Sequence, residues 1–132
     1  MTTSPTVDDR FFSVRYDPAR HLVVVVRSAE PFADLEELRA VFAALLDAVD
    51  RLCEGGAALL VDLRAVRGRN DADFEEAMRP LRRRLFAGRA RAGLLVRSAV
   101  GLLQIQRHLR EDGIAALVDA DEAALVAALY EG

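Results

Sequence analysis

The sequence predicts an α/β fold: a mixed, mostly parallel five-stranded sheet with an N-terminal β-hairpin and four helices, in the order ββαβαβαβα. Three observations predict it. Short, wholly apolar runs at Val23–Val26, Leu59–Val61 and Leu94–Val96 read as strands buried on both faces. Between them lie longer segments whose apolar residues recur every three or four positions, the mark of helices with one buried stripe. After the first hairpin the two kinds of segment alternate strictly, which demands parallel neighbours joined by right-handed crossovers.

Residues 1–10 carry Thr, Ser, Pro and Asp without periodicity and read as a disordered tail, with 11–132 as a single domain. Phe11–Tyr16 alternates apolar and polar, Asp17-Pro18-Ala19-Arg20 supplies turn chemistry, and His21–Arg27 carries the valine run, so a hairpin is expected. Asp34 with Glu37 three residues on forms a capping box, and Leu35, Leu38, Val41, Phe42, Leu45, Leu46, Val49 and Leu52 continue as an apolar stripe. Gly55-Gly56 ends that helix and Ala57–Leu63 forms a third strand. Asn70, Asp71 and Asp73 place acceptors at the start of a second helix that runs to about Phe86. Pro80 removes a backbone donor inside it, so a kink or break is expected. Ala92–Arg97 reads as a fourth strand, and Ser98 caps a third helix to Arg110, with Val100, Leu103 and Leu109 set opposite a polar strip of Gln104, Gln106, Arg107 and His108. Gly113 closes it, Ile114–Val118 is a short fifth strand, and Asp119 opens the last helix.

Composition narrows the function classes. A chain of 132 residues, 52% hydrophobic, fills one core. One cysteine, Cys53, cannot close an internal disulfide, and two histidines, His21 and His108, give no cluster at metal-ligand spacing. No apolar run approaches the roughly 20 residues of a membrane helix, and the N-terminal residues lack the pattern of a signal peptide, so a cytoplasmic protein without an integral membrane segment is expected. All 18 basic residues are arginine, and they are unevenly placed: six Arg against ten acids over 1–61, twelve against five over 62–110, and none against six over 111–132. The middle of the chain is a basic block between acidic ones. With no lysine and no Gly-rich loop before one, a nucleotide phosphate site of the P-loop kind is excluded.

The element order, with Leu60-Val61-Asp62-Leu63 closing the third strand and Asn70-Asp71 opening the next helix, resembles the STAS fold of anti-sigma-factor antagonists across residues 11–130. Val61-Asp62-Leu63-Arg64 is its most specific piece. In that family the helix after the third strand opens with an Asp-Ser pair, the serine being a phosphate acceptor. Aligning Asp62 with the family's strand-end aspartate puts Asn70 at the aspartate and Asp71 at the serine, while Asp73 stands where the family has glycine. The acceptor hydroxyl is missing. The resemblance implies a bacterial protein-interaction module that works without phosphorylation at this helix start.

Candidate residues carry two readings each. Asp71 is either a helix cap or a fixed charge standing in for a phosphoserine. Asp62 closes a buried strand at the carboxyl edge, where open α/β sheets place ligands; otherwise it caps a loop or pairs with Arg64. Arg79, Arg82, Arg83 and Arg84, with Arg89 and Arg91 beyond, either dock an acidic protein surface, lipid headgroups or nucleic-acid phosphate, or form a solvated face on which Glu75 and Glu76 pair with Arg79. Nucleic acid fits least, because the chain is acidic overall and has no aromatic platform interleaved with the arginines. Ser98 reads as an N-cap, His108 as an exposed group able to titrate near neutral pH, and Cys53 as core packing.

The expectation is therefore a non-catalytic module, with no cofactor, that binds another protein such as a regulator, a kinase or a GTPase through Asn70, Asp71, Asp73, Arg79, Arg82 and Arg83, with Asp62 and Arg64 as the strand-end motif. No acid, base and nucleophile set assembles from two histidines and scattered carboxylates. The rival reading is a small-molecule or lipid carrier of topology similar to CRAL-TRIO domains, with Leu81, Leu85 and Phe86 lining a mouth ringed by arginine. A homodimer through the valine-rich hairpin at a sheet edge is a further expectation.

Overall fold

A computed structural model of the protein describes residues 7–66 and 72–130. It is an α/β fold with ten elements among the described residues: β1 Val7–Asp8, β2 Phe12–Asp17, β3 Leu22–Arg27, α1 Leu35–Leu52, β4 Ala58–Asp62, α2 Ala72–Phe86, β5 Ala92–Leu95, α3 Ala99–Glu111, β6 Leu117–Asp119 and α4 Glu122–Leu129. The sheet has six strands rather than five, ordered as in the chain from β1 to β6. The added strand lies where the sequence reads as tail: Val7 pairs with Val14 and Asp8 with Ser13, antiparallel. Two residues are too few for any periodicity to register, so only the pairing reveals this strand. The sheet is mixed, with β1–β2 and β2–β3 antiparallel and β3–β4, β4–β5 and β5–β6 parallel.

Sequential order combined with right-handed crossovers places consecutive helices on the same face. The core is divided accordingly. On one face Phe12, Val14, Val23, Val25, Leu59, Val61 and Leu94 meet Leu38, Phe42, Leu45 and Val49 of α1, Leu85 and Phe86 of α2 and Leu109 of α3. On the other, Leu22, Val24, Ala58, Leu60 and Leu95 meet Leu125 and Leu129 of α4. The valine run is thus apolar throughout because alternate residues enter different cores. Gly93 belongs to the α4 side, where a Cβ would lie 2.9 Å from Leu125 Cδ1, so a larger residue there would force the Leu125 side chain to shift.

The hairpin turn is tied to the rest of the molecule. Asp17 accepts from Ala19 N at 3.0 Å and from Arg20 Nε at 2.7 Å. His21, in the left-handed region at φ 49, reaches Gly55 O with Nε2 at 3.0 Å and the Tyr16 hydroxyl with Nδ1 at 2.7 Å. A carbonyl only accepts, so Nε2 carries the proton, and in the neutral ring Nδ1 accepts from Tyr16. The valine-rich strand β3 lies between β2 and β4 and is interior, while β1 covers only Ser13 and Val14 of β2.

The first helix opens as its sequence predicts, with one shift. Asp34 Oδ1 accepts from Glu37 N at 2.8 Å, but the Glu37 carboxylate returns to Ala33 N, at 2.7 Å, and not to the cap residue itself. The second helix continues unbroken through Pro80 to Phe86. None of the helices among the described residues is long and apolar enough to cross a membrane.

Candidate functional site

Asp62 ends β4 at the carboxyl edge of the sheet, and its surroundings are closed by partners from its own chain. Arg64 bonds it twice, Nε to Oδ1 at 3.0 Å and Nη2 to Oδ2 at 2.9 Å, and the Arg64 backbone N–H donates to Oδ1 at 3.0 Å. The same Nη2 reaches Glu122 Oε1 at 3.0 Å, so the pair bridges β4 to the first turn of α4. Burial pushes the Asp62 carboxyl up, but the Arg64 bonds outweigh it and hold the group below its ordinary range. A carboxylate gripped in this way is a weak base; its role is to fasten α4 over the sheet end.

The arginines of α2 are also occupied from within. Asp112, the C-cap of α3 and a buried residue, takes Arg79 Nε at 3.2 Å on one oxygen and Arg82 Nη2 at 3.4 Å on the other. Its backbone oxygen accepts from Arg83 Nε at 3.0 Å. Arg82 also holds Glu75 at 2.8 Å. Arg84 and Arg89 converge on Asp50 near the end of α1, Arg89 at 2.7 Å, and these bonds, with Arg84 first among them, keep the Asp50 carboxyl below its usual range. The basic block therefore braces α1, α2 and α3 against one another. The sequence-predicted set Arg79, Arg82 and Arg83 is brought together on Asp112, the first two on its carboxylate and the third on its backbone oxygen, a partner that sequence reading missed. Only Asp112 lying just before a helix-ending glycine hinted at it.

Asp73 lies in the first turn of α2, exposed. Asn70 and Asp71 lie outside the described residues. Ser98 caps α3 as predicted, its Oγ accepting from Gly101 N at 3.2 Å. Cys53 is half-buried, and burial pushes its thiol up, so it is not an activated nucleophile. Leu85 and Phe86 are core residues, and Leu81 packs beside them. Among the described residues no group of three or more His, Cys, Asp or Glu is placed to hold a metal ion.

α3 differs from the other long helices. Leu109 is its only buried residue, while Val100 and Leu103 are 68% and 67% exposed. This corrects the sequence expectation that Val100, Leu103 and Leu109 lie together opposite the polar strip of Gln104, Gln106, Arg107 and His108. Val100 and Leu109 are nine residues apart, two and a half turns, and so face opposite ways. The inward positions are instead Leu109 with the half-buried Leu102, Ile105 and Gln106. Beside this helix an open depression of about 330 Å³ is lined by Gln106, Leu109, Arg110, Ile114 and Ala116. A second, of about 330 Å³, adjoins Phe86, Gly88 and Asp112. Neither brings reactive side chains together.

Compared with protein-family models, with curated proteins and with solved structures, the chain matches none.

Proposed function

We propose that this protein is a non-catalytic, STAS-like module that binds another protein in a bacterial regulatory pathway in the cytoplasm, without a phosphorylatable serine at the start of α2. One observation carries the reading: α3 fully buries only Leu109, with Ile105 packed partly against the core, and holds Val100 and Leu103 out to solvent. Two large apolar residues one turn apart on an exposed helix return nothing to the fold, which favours recognition as their use. The braced arginines favour the same reading, because they make α1, α2 and α3 a rigid frame on which a recognition surface is presented preformed. Asp73, at the exposed start of α2, and the outer face of α3 are the two surfaces we assign to partner binding.

Affinity capture at native expression, followed by native mass spectrometry of the eluate, tests this. The expected result is a stoichiometric complex with a second polypeptide. A clean lone chain removes the reading, and a lone chain carrying bound lipid or metabolite mass replaces it with the carrier reading.

A further inference from the structure

We infer that the outer face of α3 docks an amphipathic helix of the partner that carries acidic residues beyond its apolar ones. The inference rests on the interaction-module reading and names the surface and the partner's chemistry. Val100, Leu103, Arg107 and Arg110 follow the spacing i, i+3, i+7, i+10, and at 100° per residue they fall within about 80° of arc along about 15 Å of helix. That is the seam by which two helices pack at a shallow angle. Its first half is apolar and its second half cationic, with Gln104 and Glu111 beside it.

The charge on this face is what selects the occupant. Arg10, Arg20, Arg51, Arg64, Arg79, Arg82, Arg84 and Arg89 each hold a carboxylate of their own chain. Arg107 and Arg110 are exposed and hold none among the described residues, and neither does Arg97 just ahead of the Ser98 cap. Cations left unpaired beside two exposed apolar side chains fit a helix with apolar residues opposite Val100 and Leu103 and Asp or Glu opposite Arg107 and Arg110. A second copy fits poorly, because it brings these arginines against their own kind with only Glu111 to answer them. A lipid surface fits poorly too, because two aliphatic side chains give little apolar area to insert.

Photo-crosslinking in the native host tests it, with benzoylphenylalanine carried in place of Leu103 and, as control, in place of the exposed Ala43 of α1. The expected result is an adduct from position 103 and not from 43. The joined peptide belongs to another protein, repeats apolar residues at three- and four-residue spacing and is acidic at one end. Arg107→Glu with Arg110→Glu lowers the adduct yield about tenfold or more, with the melting temperature unchanged. An adduct to lipid, to a second copy or to a segment without acids overturns the inference, as does a yield indifferent to the charge reversal. If the unsubstituted chain captures a partner but position 103 gives no adduct, this surface is wrong while the module reading stands. If nothing is captured, both fall.

Discussion

Asp112 organises the exposed flank of the molecule from a buried position. Its two carboxylate oxygens each hold an arginine of α2, and its backbone oxygen holds a third. Asp112→Ala leaves Arg79 and Arg82 without their carboxylate, while Arg83 keeps the backbone oxygen, and should lower stability by about 1–3 kcal/mol, read as a shift in the urea midpoint. The residue was invisible as a partner in the sequence, because Glu75 and Glu76 stand at helical spacing from Arg79 while Asp112 is thirty-odd positions away. Glu75 does pair on α2, but with Arg82. The strand-end motif was easier to read, since Asp62 and Arg64 are two residues apart and bond directly. Arg64→Met removes the side-chain bonds that lower the Asp62 carboxyl and keeps both the backbone N–H bond, which lowers it, and burial, which raises it. A carbon-13 titration should show the carboxyl moving up from its lowered value. The sign for stability follows. In the parent the depressed group contributes above the unfolded value of about 4 and loses that contribution as pH falls through the lower folded value. In the variant the carboxyl is less depressed, so less of that contribution is there to lose as pH falls.

At the scale of elements, the apolar runs located the interior strands because a strand buried on both faces has no polar alternation to obscure it. The two short strands at the edges were not located with the same accuracy: β1 falls where a tail is expected, and β6 begins at Leu117 and not at Ile114. An edge strand buries little, so its sequence is barely constrained. Helix boundaries were legible from their caps at Asp34 and Ser98. The facing of α3 was misread because composition overrode angle, a helix with apolar residues on both sides having no single stripe. α4 is placed by the fit of Leu125 over Gly93. Gly93→Ala should cost about 1–3 kcal/mol by overpacking, and the cost should shrink in a Leu125→Ala background, where the opposing atoms are gone. α2 keeps its helix through Pro80 without that residue's backbone donor. Pro80→Ala should therefore stabilise the protein by about 2 kcal/mol, the helix gain outweighing the added freedom of the unfolded chain.

For the molecule as a whole, a sheet ordered as the chain runs sends α1, α2 and α3 to one side and leaves α4 alone on the other. Aspartates then lock that layer together, Asp50 binding α2 and the following Arg89 to α1, and Asp112 binding α2 to the end of α3. The arginine block that made the sequence look like a docking surface is largely consumed in this framework. Among the described residues it leaves Arg91, Arg97, Arg107 and Arg110 without a carboxylate, and the last two lie on the outer face of α3 with the exposed Val100 and Leu103. The most direct test is the amount of partner retained by Val100→Glu with Leu103→Glu relative to the parent chain, measured alongside the urea midpoint of each. The expected result is loss of about nine-tenths or more of the retained partner with a midpoint unchanged within about 0.5 kcal/mol, since both side chains are exposed. Full retention of the partner, or a midpoint lowered by more than about 1 kcal/mol, would contradict a surface held in reserve for recognition.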